Sequence, residues 1–435
     1  MTCLVPSVPA ARLADPSRRG LLRMAGAGLV LGALPALPLR AEDVLDRDVL
    51  SARMAEFMRR EIAAGSLTGG VLRIEKDGET VLDAAYGHSD AAATRVAETG
   101  DLFRIASMTK PVVSAAIMGF VEEGRITLDA PIATYLPELA DLKLAGPDGQ
   151  VTAPARQPLV YDLLRHTGGF TYSMFGAADP ALREAYGKAG IEQIQADMPV
   201  DEMLRRLAQI PLAFEPGTRF EYSIGIDLLG FILERVAGQR LDAVLRERIL
   251  DPLGMDQTGF AVGDADLARL AQVPDTDPMK PVIEGWMRVE KPRGQGYLSG
   301  GGGLVSTAAD YMRFCRMVLN DGAHEGRRVL SPASLRLMLS DHTAGLAGST
   351  APFTGPGYGF GLGFAVRRAE GEAFVEGSAG DANWSGVSGT TFTVDRRENL
   401  AAILMAAAPS QRNHLRFAFR NITYGALTET GIDNG

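Results

Sequence analysis

Two β-hairpin patterns stand near opposite ends of this 435-residue chain, and most of what separates them carries helical spacing. Near the start, Val71-Leu72-Arg73-Ile74-Glu75 and Thr80-Val81-Leu82 flank Lys76-Asp77-Gly78-Glu79, where Asp-Gly between β-rich runs marks a tight turn. Towards the other end, Gly389-Thr390-Thr391-Phe392-Thr393-Val394 and Leu400-Ala401-Ala402-Ile403-Leu404-Met405 flank the charged turn Asp395-Arg396-Arg397-Glu398-Asn399. Apolar residues recur at helical intervals over 49–64, 111–123, 160–165, 200–209, 226–237 and 241–250, with a closing helix over about 411–427. Gly124, Gly238 and Gly254 supply stops. Strands at both ends with helices between them imply that the ends meet in one sheet. Residues 42–120 together with 296–435 are then a sheet domain, 121–295 a mainly helical insertion, and the cleft between them the natural place for a site.

The first forty residues follow a different logic. Ser17-Arg18-Arg19-Gly20-Leu21-Leu22-Arg23 precedes an Ala/Gly/Leu-rich run from Met24 to Leu39, the order of a twin-arginine export signal. Pro35 and Pro38 interrupt the run, which is too short for a membrane span. Residues 1–41 are therefore expected to direct export to the periplasm or beyond, leaving no stable membrane span. Five arginines and one aspartate leave with them, so 39 basic and 52 acidic side chains remain, a formal −13. Such a surface argues against nucleic acid as a partner. Cys3 and Cys315 are the only cysteines, so a chain that has lost Cys3 cannot form an internal disulfide, and Cys315 in its apolar stretch reads as a small buried hydrophobe.

Chemistry concentrates in Phe103-Arg104-Ile105-Ala106-Ser107-Met108-Thr109-Lys110-Pro111. At a helix start, residues three apart share a face, so Lys110 lies beside the Ser107 hydroxyl while the first backbone N–H groups favour negative charge there. Alone the pair means little: nineteen serines and six lysines give about 0.26 such pairs by chance. Its company changes that. Leu163-Leu164-Arg165-His166-Thr167-Gly168-Gly169 follows, then Phe214-Glu215-Pro216-Gly217 leading into Tyr222-Ser223-Ile224-Gly225-Ile226-Asp227-Leu228-Leu229-Gly230. Gly302-Gly303-Leu304-Val305-Ser306-Thr307-Ala308-Ala309-Asp310 and Tyr358-Gly359-Phe360-Gly361-Leu362-Gly363-Phe364 complete the series, the last reading as a sheet strand.

This ordered series resembles the superfamily of serine β-lactamases, DD-peptidases and family VIII carboxylesterases, over nearly all of the chain after the signal. The resemblance implies an α/β (α+β) fold of the β-lactamase/transpeptidase type, an antiparallel sheet flanked by helices with an inserted helical region. It makes Ser107 the acylated nucleophile and Lys110 and Tyr222 its proton-transfer partners. It also makes the backbone N–H groups of Ser107 and Val387 the oxyanion hole.

Two departures bear on substrate. Ile224 stands where many β-lactamases have the asparagine of Tyr-x-Asn, and it cannot make amide contacts. Where they carry Lys-Thr-Gly, this chain aligns Trp384-Ser385-Gly386, with Gly377-Ser378-Ala379-Gly380 as the alternative. An indole in place of a cation removes the partner of a β-lactam carboxylate and adds an apolar wall. The expectation is hydrolysis of small-molecule carboxylic esters with short or medium acyl chains. A β-lactamase, a D-peptidase, an acyltransferase and a non-turnover penicillin-binding receptor are the alternatives. The five histidines lack metal-ligand spacing and Gly-x-Ser-x-Gly is absent, so no cofactor is implied and a Ser-His-Asp triad is disfavoured.

Overall fold

The computed structural model describes residues 43–146, 149–174, 179–192, 197–290, 294 and 296–429, and within them the two hairpins join one seven-stranded antiparallel sheet. The strands are β1 (Gly69–Lys76), β2 (Glu79–Gly87), β3 (Tyr358–Phe360), β4 (Ala365–Arg367), β5 (Ala382–Ser385), β6 (Thr391–Asp395) and β7 (Leu400–Ala406), in the order β3-β4-β5-β6-β7-β1-β2. The expected export segment, residues 1–41, lies outside the described residues. No helix among them is long and apolar enough to cross a membrane.

The seam that joins the chain ends is β7 against β1, in register from Leu400↔Lys76 to Ala406↔Gly70. Every residue of β7 is buried, because both sheet faces are covered. Leu400, Ala402, Leu404 and Ala406 face a layer containing Leu50, Met54, Phe57, Leu415 and Phe419, supplied by helices α1 (Arg47–Ala63) and α5 (Arg412–Tyr424). Ala401, Ile403 and Met405 face the larger core, which holds α2 (Thr109–Glu122), α3 (Gly225–Ala237) and α4 (Ala308–Leu319). Helix α2 is buried from Thr109 to Met118, and apart from Thr109, Lys110 and Ser114 that run is apolar. The tight turn of the first hairpin uses left-handed backbone at both Asp77 (φ 54°) and Gly78 (φ 81°), as the Asp-Gly signal requires.

Three expectations are corrected. Tyr358–Phe364 is not one strand: Gly361 N–H closes on Phe364 O at 2.7 Å and Gly363 takes φ +93°, so the chain turns a corner between β3 and β4. The closing helix ends at Tyr424, and Leu427–Glu429 pairs with Asp43–Leu45. The helix from Leu241 widens into a π-helical turn over Arg246–Leu250. Cys315 is fully buried on α4, and burial holds its thiol well above the usual range, in keeping with a packing role.

Candidate active site

Ser107 is held where three segments converge. Phe103–Arg104 pairs with Val305–Ser306, and Ile105 N–H donates to Leu304 O at 3.0 Å. From the other side the Ser388 hydroxyl donates to Arg104 O, and Thr390 Oγ1 donates to Ile105 O at 3.3 Å. The chain then bends at Ala106, a buried non-glycine residue with φ +46°. Such backbone costs an L-residue about 1–2 kcal/mol, and the fixed neighbours impose it. One 3-10 turn, Ala106–Met108, carries Ser107 into α2. Leu304 N–H and the Tyr311 hydroxyl, bonded to Thr109 Oγ1 (3.1 Å) and Met108 O (2.8 Å), anchor that entry.

Around the hydroxyl the geometry is tight. Lys110 Nζ donates to Ser107 Oγ at 3.2 Å, and the Tyr222 hydroxyl donates to it at 2.8 Å. The ammonium also donates to Gly301 O at 2.6 Å and to the Tyr172 hydroxyl at 3.4 Å, and it lies 4.6 Å from the centre of the Tyr222 ring. The three residues singled out from sequence are thus one hydrogen-bonded group.

Tyr222 is fixed by His166. The flanking Glu221 N–H donates to His166 O at 2.9 Å, Ser223 N–H donates to His166 Nδ1 at 3.3 Å, and the two rings stand 4.7 Å apart. Nδ1 accepts, so the imidazole is neutral. Full burial, reinforced by the nearby Lys110 charge, holds its pKa well below the usual value. His166 clamps the site and does not titrate in it.

A cavity of about 280 Å³ opens on Ser107. Trp384, Ser385, Gly386 and Val387 all line it, so β5 is the strand that edges the site, as the Trp-Ser-Gly alignment expects. The alternative segment Gly377–Gly380 does not line it; Ser378 N–H is bonded instead to Asp395. Gly386 lies so close to the nucleophile's turn that a Cβ would overlap Ile105 O and Thr390 Oγ1. Trp384 is buried, with its ring 5.4 Å from Tyr222 and 5.1 Å from Phe360.

Several lining groups carry no short sequence signal. Phe353, from the short helix Ala351–Thr354, packs on Tyr222 at 4.7 Å and forms the apolar wall with Met174 and Pro352. Tyr172 follows the His-Thr-Gly-Gly motif by three residues, which is the clue that was available; burial holds its phenol well above the usual range. The rest of the lining corrects a sequence inference. Trp384 does replace the expected cation, but Arg412 and Arg416 of α5 bring positive charge to the same cavity. Burial and its neighbour Arg412 push Arg416 down to about 10, so it remains a cation at neutral pH. Among the described residues no cluster of His, Cys, Asp and Glu could hold a metal.

A family model described as Beta-lactamase matches residues 50–424. The chain belongs to the beta-lactamase family. Within the family it is 36% identical over 361 residues to Protein Rv1367c of Mycobacterium tuberculosis, covering 80% of this chain and 87% of that one. It is 33% identical over 400 residues to Esterase EstB of Burkholderia gladioli, covering 87% of this chain and 96% of the other. Among solved structures it resembles "EstCE1, a hydrolase with promiscuous acyltransferase activity", with TM-score 0.75 and 28% identity over 87% of this chain and 99% of that one. The family's fold is the α/β arrangement expected from the ordered motifs.

Proposed function

We propose that this protein is a serine carboxylesterase that cleaves small-molecule esters of short or medium acyl chain through an acyl-enzyme on Ser107. The observation that carries the reading is the Ser107 hydroxyl within hydrogen-bond reach of both Tyr222 and Lys110 at the foot of a half-apolar cavity. Lys110 Nζ lies 4.6 Å from the centre of the Tyr222 ring, so both groups act on the one hydroxyl. The Tyr222–Lys110 pair takes the Ser107 proton as its oxygen attacks the ester carbonyl. The pair returns a proton to the departing alcohol, then takes one from the water that attacks the acyl-enzyme and gives it to Ser107 Oγ as the acid leaves. The backbone N–H groups of Ser107 and Val387 are the proposed donors to the carbonyl oxygen. The likeness to EstB and EstCE1 supports the ester class.

The Arg412 and Arg416 side chains favour a second reading in which the substrate carries a carboxylate, as β-lactams and D-peptides do. Turnover of p-nitrophenyl butyrate, nitrocefin and a D-Ala-D-Ala peptide by one preparation separates the two. We expect the ester to exceed the others by at least about 100-fold in kcat/KM, a difference of roughly 2.7 kcal/mol in transition-state binding. Faster turnover of either carboxylate substrate overturns the ester assignment. The EstCE1 likeness keeps transfer to an added alcohol within the same chemistry.

Export belongs to the proposal as well. It is supported by Arg18-Arg19 ahead of the apolar run. Replacing both arginines by lysine is expected to leave the enzyme in the cytoplasmic fraction, and unchanged periplasmic recovery refutes twin-arginine export.

A further inference from the structure

The Ser107 reading leaves one buried charge beside it unused. Asp227 lies in the first turn of α3, five residues after Tyr222, and is 6% exposed. Its Oδ1 accepts from Gly301 N–H at 3.0 Å and from the Ser299 hydroxyl. Gly301 in turn presents its carbonyl to Lys110 Nζ at 2.6 Å. The packing leaves no space between the two residues, since a Cβ on Gly301 would overlap the Asp227 carboxylate. Lys110 is 1% exposed, and a buried ammonium is strongly disfavoured without a nearby negative charge.

We infer that Asp227 is a positioning residue: through Gly301 it aims Lys110 at Ser107, its carboxylate holding the glycine N–H while the glycine carbonyl holds the lysine. This rests on the proposal that Ser107 is the nucleophile. The His166 and Tyr172 rings beside Lys110 supply no negative charge. His166 is neutral, and Tyr172 is held as a phenol by burial. Tyr222 donates to Ser107. Burial pushes the Asp227 carboxyl above its usual range, and the largest opposing influence is the charge on Lys110, which ties the two groups together.

Asp227→Asn keeps the shape and an acceptor for Gly301 while removing the charge. With p-nitrophenyl butyrate, kcat is expected to fall at least about 10-fold with KM little changed, because Lys110 loses its aim at Ser107 while the residues lining the cavity are untouched. A smaller fall in kcat, or one matched by an equal rise in KM, means a merely structural role and overturns the inference. Thermal unfolding supplies a test that needs no activity. Asp227→Asn is expected to lower Tm in the wild type but to raise it in the Lys110→Met background, where the carboxylate is the uncompensated charge. Equal losses in both backgrounds overturn the pairing. Failure of the ester reading is distinguishable, since a wild type that neither turns over esters nor labels at Ser107 with a fluorophosphonate leaves the thermal cycle intact.

Discussion

Ser107→Ala is expected to lower kcat for p-nitrophenyl butyrate by at least about 10⁴-fold, to the level of the uncatalysed reaction with bound substrate. The size of the effect follows from the geometry. Ser107 Oγ is the atom on which Tyr222 and Lys110 converge, at 2.8 Å and 3.2 Å, and the alanine methyl leaves both with nothing to act on. The neutral clamp residue His166 is bound to the Tyr222 segment and cannot substitute. The fold should be unaffected, because the turn is held by backbone contacts at Arg104, Ile105 and Met108 that do not involve the Ser107 side chain. Circular dichroism and Tm establish that, and intact mass after mixing with substrate reads the acyl adduct directly. Retention of turnover within tenfold of wild type places the nucleophile elsewhere.

Tyr222→Phe is the second large effect, with kcat expected to fall about 10²–10⁴-fold, the range for losing a general acid–base group. The ring keeps its packing on His166 (4.7 Å), Phe353 (4.7 Å) and Trp384 (5.4 Å), so the cavity wall and KM should change little. What disappears is the hydroxyl that exchanges a proton with Ser107. Deacylation needs the same group to activate water, so the variant should also accumulate acyl-enzyme, seen as an added acyl mass that persists for many turnover times of the wild type. A kcat within threefold of wild type assigns proton transfer to Lys110 alone.

These effects can be stated because the motif spacing was informative about a small set of residues. Ser107 and Lys110 share a helix face, so their proximity is a local property and legible from three-residue spacing. Tyr222 joins them across 115 positions; the sequence placed it through motif order, and its distance depended on His166 and the packing of α3 on α2. Trp384 to Val387 follow from alignment, and the pairing of Trp384 with Phe392 and of Ser385 with Thr391 holds that strand end at the cavity. Phe353, Arg412 and Arg416 were invisible as site residues. A phenylalanine in a four-residue helix and arginines on an amphipathic one look like ordinary packing and surface positions until the fold brings them to one cavity. The error over Tyr358–Phe364 has a similar origin. Alternating large apolar residues and glycine suit a strand, whereas Gly363 supplies a positive φ that only the packed corner demands.

By itself the sequence determined the elements whose causes are local: the Asp77-Gly78 hairpin, the apolar β7 and α2, and the serine-lysine pair at a helix start. Tertiary structure alone decided which strands pair at that junction and in what register, the convergence of Gly301, Tyr172 and Asp227 around a buried ammonium, and the arrival of two arginines at the substrate cavity. The physical reason is range. Periodicity and turn chemistry act over a few residues, while the placement of charge in a buried site depends on which distant segments exclude water from it together.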